Sequence, residues 1–235
     1  MTFSRIGGWA AIGFAAIGFA ALLVGGNLVL APAGVPLIGA PDDDVADFFG
    51  DQGAIVRLTS AIGPFVWLLA TVFGAAATAA LWPIERRRDE AWSLVGFAGL
   101  LLQNTTFLGV IATRLALTGT AADASATKGL WSLNEAFFAL NGTFLATAMI
   151  GLSLAGLRTR LIRRSHAVLG FAAAGLQFGS AVLLSLAFDD PGPIDLLGLA
   201  GWLLWVAWIA WYGIVLIRMR ASSTGQIRTA EPAAP

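Results

Sequence analysis

The chain has 235 residues, 57% of them hydrophobic and 12% charged, with a formal net charge of zero. Soluble domains use about 45 to 50% apolar residues and about a quarter charged ones, so this composition excludes a soluble globule and predicts a polytopic membrane protein. With no cysteine, one histidine (His166) and one lysine (Lys128), the chain alone lacks the parts for disulfides, thiolate chemistry, Cys-type zinc sites and bis-histidine haem.

No glycine-rich phosphate loop of the GxxxxGK[ST] kind is present, and zero net charge gives no general pull toward nucleic acid. No cofactor, metal or nucleic-acid partner is therefore expected.

A bilayer core of about 30 Å needs about 20 apolar residues per helix. Six stretches satisfy this: 7–31, 54–82, 92–118, 129–157, 166–188 and 194–218. The predicted fold is all-α, a six-helix transmembrane domain over 1–220, with 221–235 as a disordered cytoplasmic tail. Arg5, Arg86, Arg87, Arg88, Arg158, Arg160, Arg163, Arg164, Arg218, Arg220 and Arg228 fall at one face, which the positive-inside rule makes cytoplasmic, with both termini inside. The other face keeps Arg57 and Lys128 among the aspartates Asp42, Asp43, Asp44, Asp47, Asp51, Asp123, Asp189, Asp190 and Asp195.

The first apolar run, Ile6 to Ala31, is too long for a cleaved signal peptide, and Pro32 follows its only small-residue site. It reads as a retained helix. The loop 32–53 opens on Pro32, Pro36 and Pro41. Its aspartates at 42–44 favour a helix start, and Phe48 and Phe49 would let that helix lie in the outer interface. A solvated, capped connector is the favoured reading of 42–51, and a docking element for a protein partner the other. Helices three and five share an order: Trp92, Gly96, Phe97, Ala98, Leu102, Gln103 against His166, Gly170, Phe171, Ala172, Leu176, Gln177. With Gly-Phe-Ala at 13–15 and 18–20 in helix one, the spacing points to three related hairpins. Gly175 and Gly179 form a small-xxx-small packing signal.

Polar residues fall in two layers when depth is counted at about 1.5 Å per residue. Near the midplane lie Gln103, Asn104, Thr106, Asn141, Thr143, Gln177 and Ser180; nearer the outer surface lie Asn27, Arg57, Arg114, Asn134 and Glu135. A charge at a helix centre costs about 2.5 to 3.5 kcal/mol on insertion scales, which makes an Arg114–Glu135 ion pair the natural expectation. Gln103, Thr106, Phe107, Val110 and Arg114 share one helical face, as do Asn134 and Asn141. If those faces meet, a polar track runs inward to Gln103, Asn141 and Gln177 and ends blind, because the inner half reads as almost wholly apolar. Interhelical hydrogen bonding is the structural alternative for each amide.

Trp9, Trp82, Trp92, Trp131 and Trp211 fit interfacial belts, whereas Trp67, Trp205 and Trp208 lie deeper as packing. His166, beside the basic loop, reads as a lipid-headgroup contact. The arginine-led first helix and the segment from Val45-Ala46-Asp47-Phe48-Phe49 to Arg57-Leu58 resemble a bacterial multi-helix integral membrane family catalogued only as a domain of unknown function. That resemblance implies architecture, no activity and no site residues.

Three functions remain open. One is a permease-like protein binding a small molecule or lipid through Arg114, Glu135, Asn134, Gln103, Asn104, Asn141 and Gln177. Another is an accessory subunit docking a partner through 42–51. The weakest is a lipid-modifying enzyme using Glu135, because a lone carboxylate lacks a nucleophile, metal set or second carboxylate.

Overall fold

A computed structural model describes residues 2–187, 192 and 194–219; the expected tail, with Asp189, Asp190, Arg220 and Arg228, lies outside them. All regular structure among these residues is helical. The elements are α1 (Phe3–Ala20), continued by a π-helical stretch (Ala21–Leu30), α2 (Asp42–Asp51), α3 (Gly53–Ser60), α4 (Gly63–Glu85), α5 (Trp92–Thr120), α6 (Ala124–Arg158), α7 (Arg164–Leu186) and α8 (Ile194–Arg218). Six segments are long and apolar enough to cross a membrane, the second being α3 and α4 together over Gly53–Arg88.

Local sequence explains the breaks. Pro64, in the first turn of α4, has no amide hydrogen and suits a helix start, so the chain restarts there rather than running on from α3. Asp123 caps α6 by accepting from Ser125 N at 3.0 Å and Ala126 N at 3.1 Å. In the widened end of α1, Gly25 and Gly26 weaken the α-helical ladder, and Asn27 bonds back to Leu22 O at 2.9 Å within its own helix.

Each long segment packs against its neighbours in sequence, and α1 closes on α8, giving the ring α1–α4–α5–α6–α7–α8. Lipid tails are as apolar as leucine, so close backbone contact rather than water exclusion holds such helices together. Glycine supplies that approach. A Cβ on Gly151 of α6 would lie 2.3 Å from Gly96 N of α5, and one on Gly99 would lie 2.5 Å from Ala148 N. The α1–α8 closure is reciprocal: Gly8 would meet Gly213 O at 2.6 Å, and Gly213 would meet Gly8 O at 2.6 Å. Gly175 and Gly179 do not act in this way. A Cβ on either meets nothing within 4 Å, so their spacing is not a packing contact here.

The repeat between helices three and five has a packing reason. Gly96 of α5 abuts Leu152 and Gly170 of α7 abuts Ser153, so the two matching glycines clasp α6 from either side at one level. Inside the ring, Phe14, Phe73, Met149, Leu152, Trp205, Trp208 and Tyr212 fill the axis, and all are buried. Phe73 meets Trp208 and Tyr212 edge-on, at centroid distances of 6.3 and 5.6 Å.

At the aspartate-rich end α2 forms a cap. Val45, Phe48 and Phe49 are buried against Leu117 and Trp131, so Phe48 and Phe49 face the protein rather than an interface, and Trp131 is a core residue rather than part of a belt. The opposite end gathers the described arginines other than Arg57 and Arg114. Arg5 Nε donates to Ile217 O at 3.3 Å, and Arg88 Nη1 to Arg158 O at 2.5 Å. Arg158 makes a two-pronged bond to Glu90, at 2.8 and 2.7 Å. Those donated hydrogen bonds, and the charge behind them, hold the Glu90 carboxyl below its ordinary range.

Candidate functional site

The two polar faces singled out on α5 and α6 do meet. Asn134 Nδ2 donates to Val110 O and to Thr113 Oγ1, both at 2.9 Å, and Asn134 is only 2% exposed. The crossing contacts fix the register below this point. Gly99 faces Ala148 and Phe144, and Gly109 faces Phe137, which places Gln103 and Asn141 in the same α5–α6 seam, between those two contacts. On the other flank of α6, Gly142 faces Gln177 O of α7, so Gln177 stands at the depth of Asn141.

The carboxamides divide by what their hydrogen bonds do. Asn104 Nδ2 joins α5 to α4 through Trp67 O at 3.3 Å and Thr71 Oγ1 at 3.2 Å. Gln177 Nε2 joins α7 to α8 through Gly198 O at 2.9 Å. With Asn134, these are interhelical ties, of a kind contributing about 0.6 kcal/mol each on average. The acceptors are a different matter. Gln103 Oε1, Asn104 Oδ1 and Asn141 Oδ1 are buried with no hydrogen-bond partner, as is Nε of Arg114. Unpaired buried acceptors in an apolar medium cost about 1 to 3 kcal/mol each. Ser93 Oγ and Ser153 Oγ, at the other end of the same two helices, are unpaired as well, but the three carboxamide oxygens lie at neighbouring depths. Of the other midplane and outer-layer residues, Thr106 Oγ1 bonds back to Leu102 O at 2.8 Å within α5. Arg57 is exposed and reaches Thr118 Oγ1 at 3.5 Å.

Arg114 and Glu135 stand on the neighbouring helices α5 and α6. Arg114 shares its face of α5 with Gln103, Val110 and Thr118, the last of which accepts from Arg57 of α3. Glu135 shares its face of α6 with Lys128 and Trp131. Its Oε1 accepts the amide of Gly39 at 2.7 Å, while Lys128 Nζ pairs with Asp42 at 3.0 Å. Gly39 has φ +82°, a left-handed conformation open to glycine and strained for side chains. Glu135 thus anchors the loop that carries α2. Glu135→Gln keeps an acceptor for Gly39 and should leave the loop in place. Glu135→Ala should loosen 31–41, read as faster backbone hydrogen exchange there by a factor of about ten, the loss of one hydrogen bond.

Between that loop and α2 lies a cleft of about 450 Å³ whose lining includes Leu37, Asp44, Asp47 and Asp51. Among the described residues no group of three His, Asp or Glu side chains is placed to hold a metal ion.

The arginine-rich half overturns the expectation of an apolar interior. Glu85, Ser93, Ser153 and His166 are all 0% exposed. Both oxygens of Glu85 accept Ser93 N at 3.1 Å, capping α5, whose Ala91 offers no side chain for the purpose. His166 is not a headgroup contact. Its Nε2 lies 3.1 Å from Trp208 O, and its ring stacks on Trp211 at 4.8 Å. The Tyr212 hydroxyl donates to Leu152 O at 3.3 Å. This cluster locks α8 to α6 and α7. Glu85 escapes notice in the sequence because Arg86-Arg87-Arg88 follows it, although its place directly after the apolar run ending Trp82-Pro83-Ile84 puts it in the last turn of α4.

No family model matches this chain, and no curated protein or solved structure matches it either. The functional reading therefore stands on the geometry of its own residues.

Proposed function

We propose that the chain is a multi-pass protein of a bacterial plasma membrane that binds a small molecule or lipid in the manner of a permease. Its site is the α4–α5–α6 seam, with Gln103, Asn104, Asn141 and Arg114 as ligand contacts and the aspartate-rich end as the outer, entry side. Membership of the bacterial family of unknown function is part of the same proposal, as is a cytoplasmic arginine-rich end.

The observation that carries the reading is the set of unpaired acceptors, Gln103 Oε1, Asn104 Oδ1 and Asn141 Oδ1, of which Asn104 alone has its amide nitrogen bonded, to α4. Three oxygens without donors suit a ligand that brings its own: a hydroxyl, amide or ammonium group. Glu135 contributes by holding the loop near the entry rather than by touching the ligand.

The test is a pair of apolar, similarly sized substitutions, Gln103→Leu and Asn141→Leu. Each removes a buried unpaired acceptor, so the ligand-free protein should be unchanged or more stable by about 1 kcal/mol, while the copurifying ligand seen by native mass spectrometry is lost. Loss of fold in both variants, or a wild-type ligand retained by both, contradicts the reading.

One observation favours a second function. Asp43, Asp44, Asp47 and Asp51 are exposed on α2, whose apolar face is already buried, as a docking element for a basic partner would have them. Asp43→Asn with Asp44→Asn and Asp47→Asn should then abolish copurification of that partner without altering the buried face.

A further inference from the structure

The turn between α6 and α7 encloses a cleft of about 470 Å³ lined by Leu157, Arg160, Ile162, Arg163 and Arg164. Its shape follows from the backbone. Arg160 has φ +61°, which reverses the chain after α6, and the amides of Leu161 and Ile162 both bond to Gly156 O, at 2.8 and 3.1 Å. Ile162 is thereby tucked inward, only 5% exposed, while Arg160, Arg163 and Arg164 stay exposed around it.

The charge on this turn is unmatched. Of the arginines nearby, Arg158 is neutralised by Glu90. Arg163 stands at the N-cap of α7 with no capping side chain, and the first turn of α7 has no acidic residue. The free amides of that turn add to the same positive field. The cleft sits where two spans end, α6 at Arg158 and α7 at Arg164, with an apolar floor and a guanidinium rim.

We propose that this cleft is a binding site for a phosphate-bearing anion, separate from the α4–α5–α6 seam and independent of the function assigned to it. Arginine forks bond phosphate oxygens two at a time, and an uncapped helix start offers further donors. The floor of Leu157 and Ile162 suits the glycerol and first acyl carbons of a phospholipid. A free phosphate would use the rim alone.

The experiment titrates the full-length protein, in a zwitterionic detergent, with short-chain phosphatidylglycerol, short-chain phosphatidylcholine and inorganic phosphate, read by native mass spectrometry. Wild type is compared with Arg160→Gly/Arg163→Gln and with a control that loses the same charge one loop away, Arg86→Gln/Arg87→Gln. Glycine accepts the φ of residue 160, so the cleft variant should melt at or above the wild-type temperature.

The expected result is at least about a tenfold loss of phosphatidylglycerol binding in the cleft variant and little change in the control. Displacement of the lipid by millimolar inorganic phosphate would make soluble phosphate the source of the anion, and failure to displace it would make the lipid the source. Equal losses in both variants, or phosphatidylcholine binding as tightly as phosphatidylglycerol, would overturn the proposal, because the attraction would then be diffuse or apolar.

Discussion

Gly151→Val will keep α5 and α6 from closing and will destabilise the protein by at least about 3 kcal/mol, the upper part of the range for overpacking. The reason is what the new atoms meet. A Cβ there lies 2.3 Å from Gly96 N, 2.5 Å from Gly96 Cα and 2.7 Å from Trp92 O, all backbone, so no rotamer change relieves the clash. The matched control is Gly175→Val, where a Cβ meets nothing within 4 Å. That change should stay within about 0.5 kcal/mol of wild type. Equilibrium unfolding of both variants in mixed micelles measures the contrast, and similar stabilities would mean that the α5–α6 seam is not closed by glycine.

Trp208→Ala is the second large effect. Trp208 is 0% exposed, touches Phe73, His166 and Tyr212, and sits where α8 faces the bundle axis. Truncating a buried tryptophan to alanine costs about 3 to 5 kcal/mol in soluble cores. In a membrane the transfer part of that cost shrinks, because the unfolded reference is also apolar, leaving lost dispersion contacts and an unfilled cavity. A loss of about 3 kcal/mol is expected in the same unfolding measurement. Trp9→Ala, at a position 56% exposed, should change stability little.

The helices were legible in the sequence because their signal is additive. Some twenty apolar residues in a row outweigh any local feature, so the six expected spans lie at nearly the same places in the structure. Their packing was only half legible. Gly96 and Gly170 stood out by their repeat and do clasp α6, whereas Gly175 and Gly179 carry an equally good spacing and face open space. Spacing reports which residues share a face, not which neighbour that face meets.

The same limit governs the polar residues. Helical phase put Asn134 and Asn141 on one face of α6, and the bonds of Asn134 to Val110 and Thr113 turn that face toward α5. Glu135 accepts the amide of Gly39, 96 residues earlier, in a proline-broken loop whose path has no periodicity to read. Glu85 and His166 were hidden by context instead: each adjoins arginines, and a charge-rich stretch looks solvated until its neighbours in space are known. Their burial comes from α5, α7 and α8 converging on one end of the ring, a tertiary outcome with no local signature.

If the unpaired acceptors on α5 and α6 serve a ligand, that ligand should travel with the protein. The most direct test is native mass spectrometry of wild-type protein taken from its own membrane in a lipid nanodisc. The expected result is one bound small molecule or lipid per chain, carrying hydrogen-bond donors and absent from Asn141→Leu. A chain that is bare, or that carries the same species in both proteins, would contradict it and leave Gln103, Asn104 and Asn141 as elements of the helix seam alone.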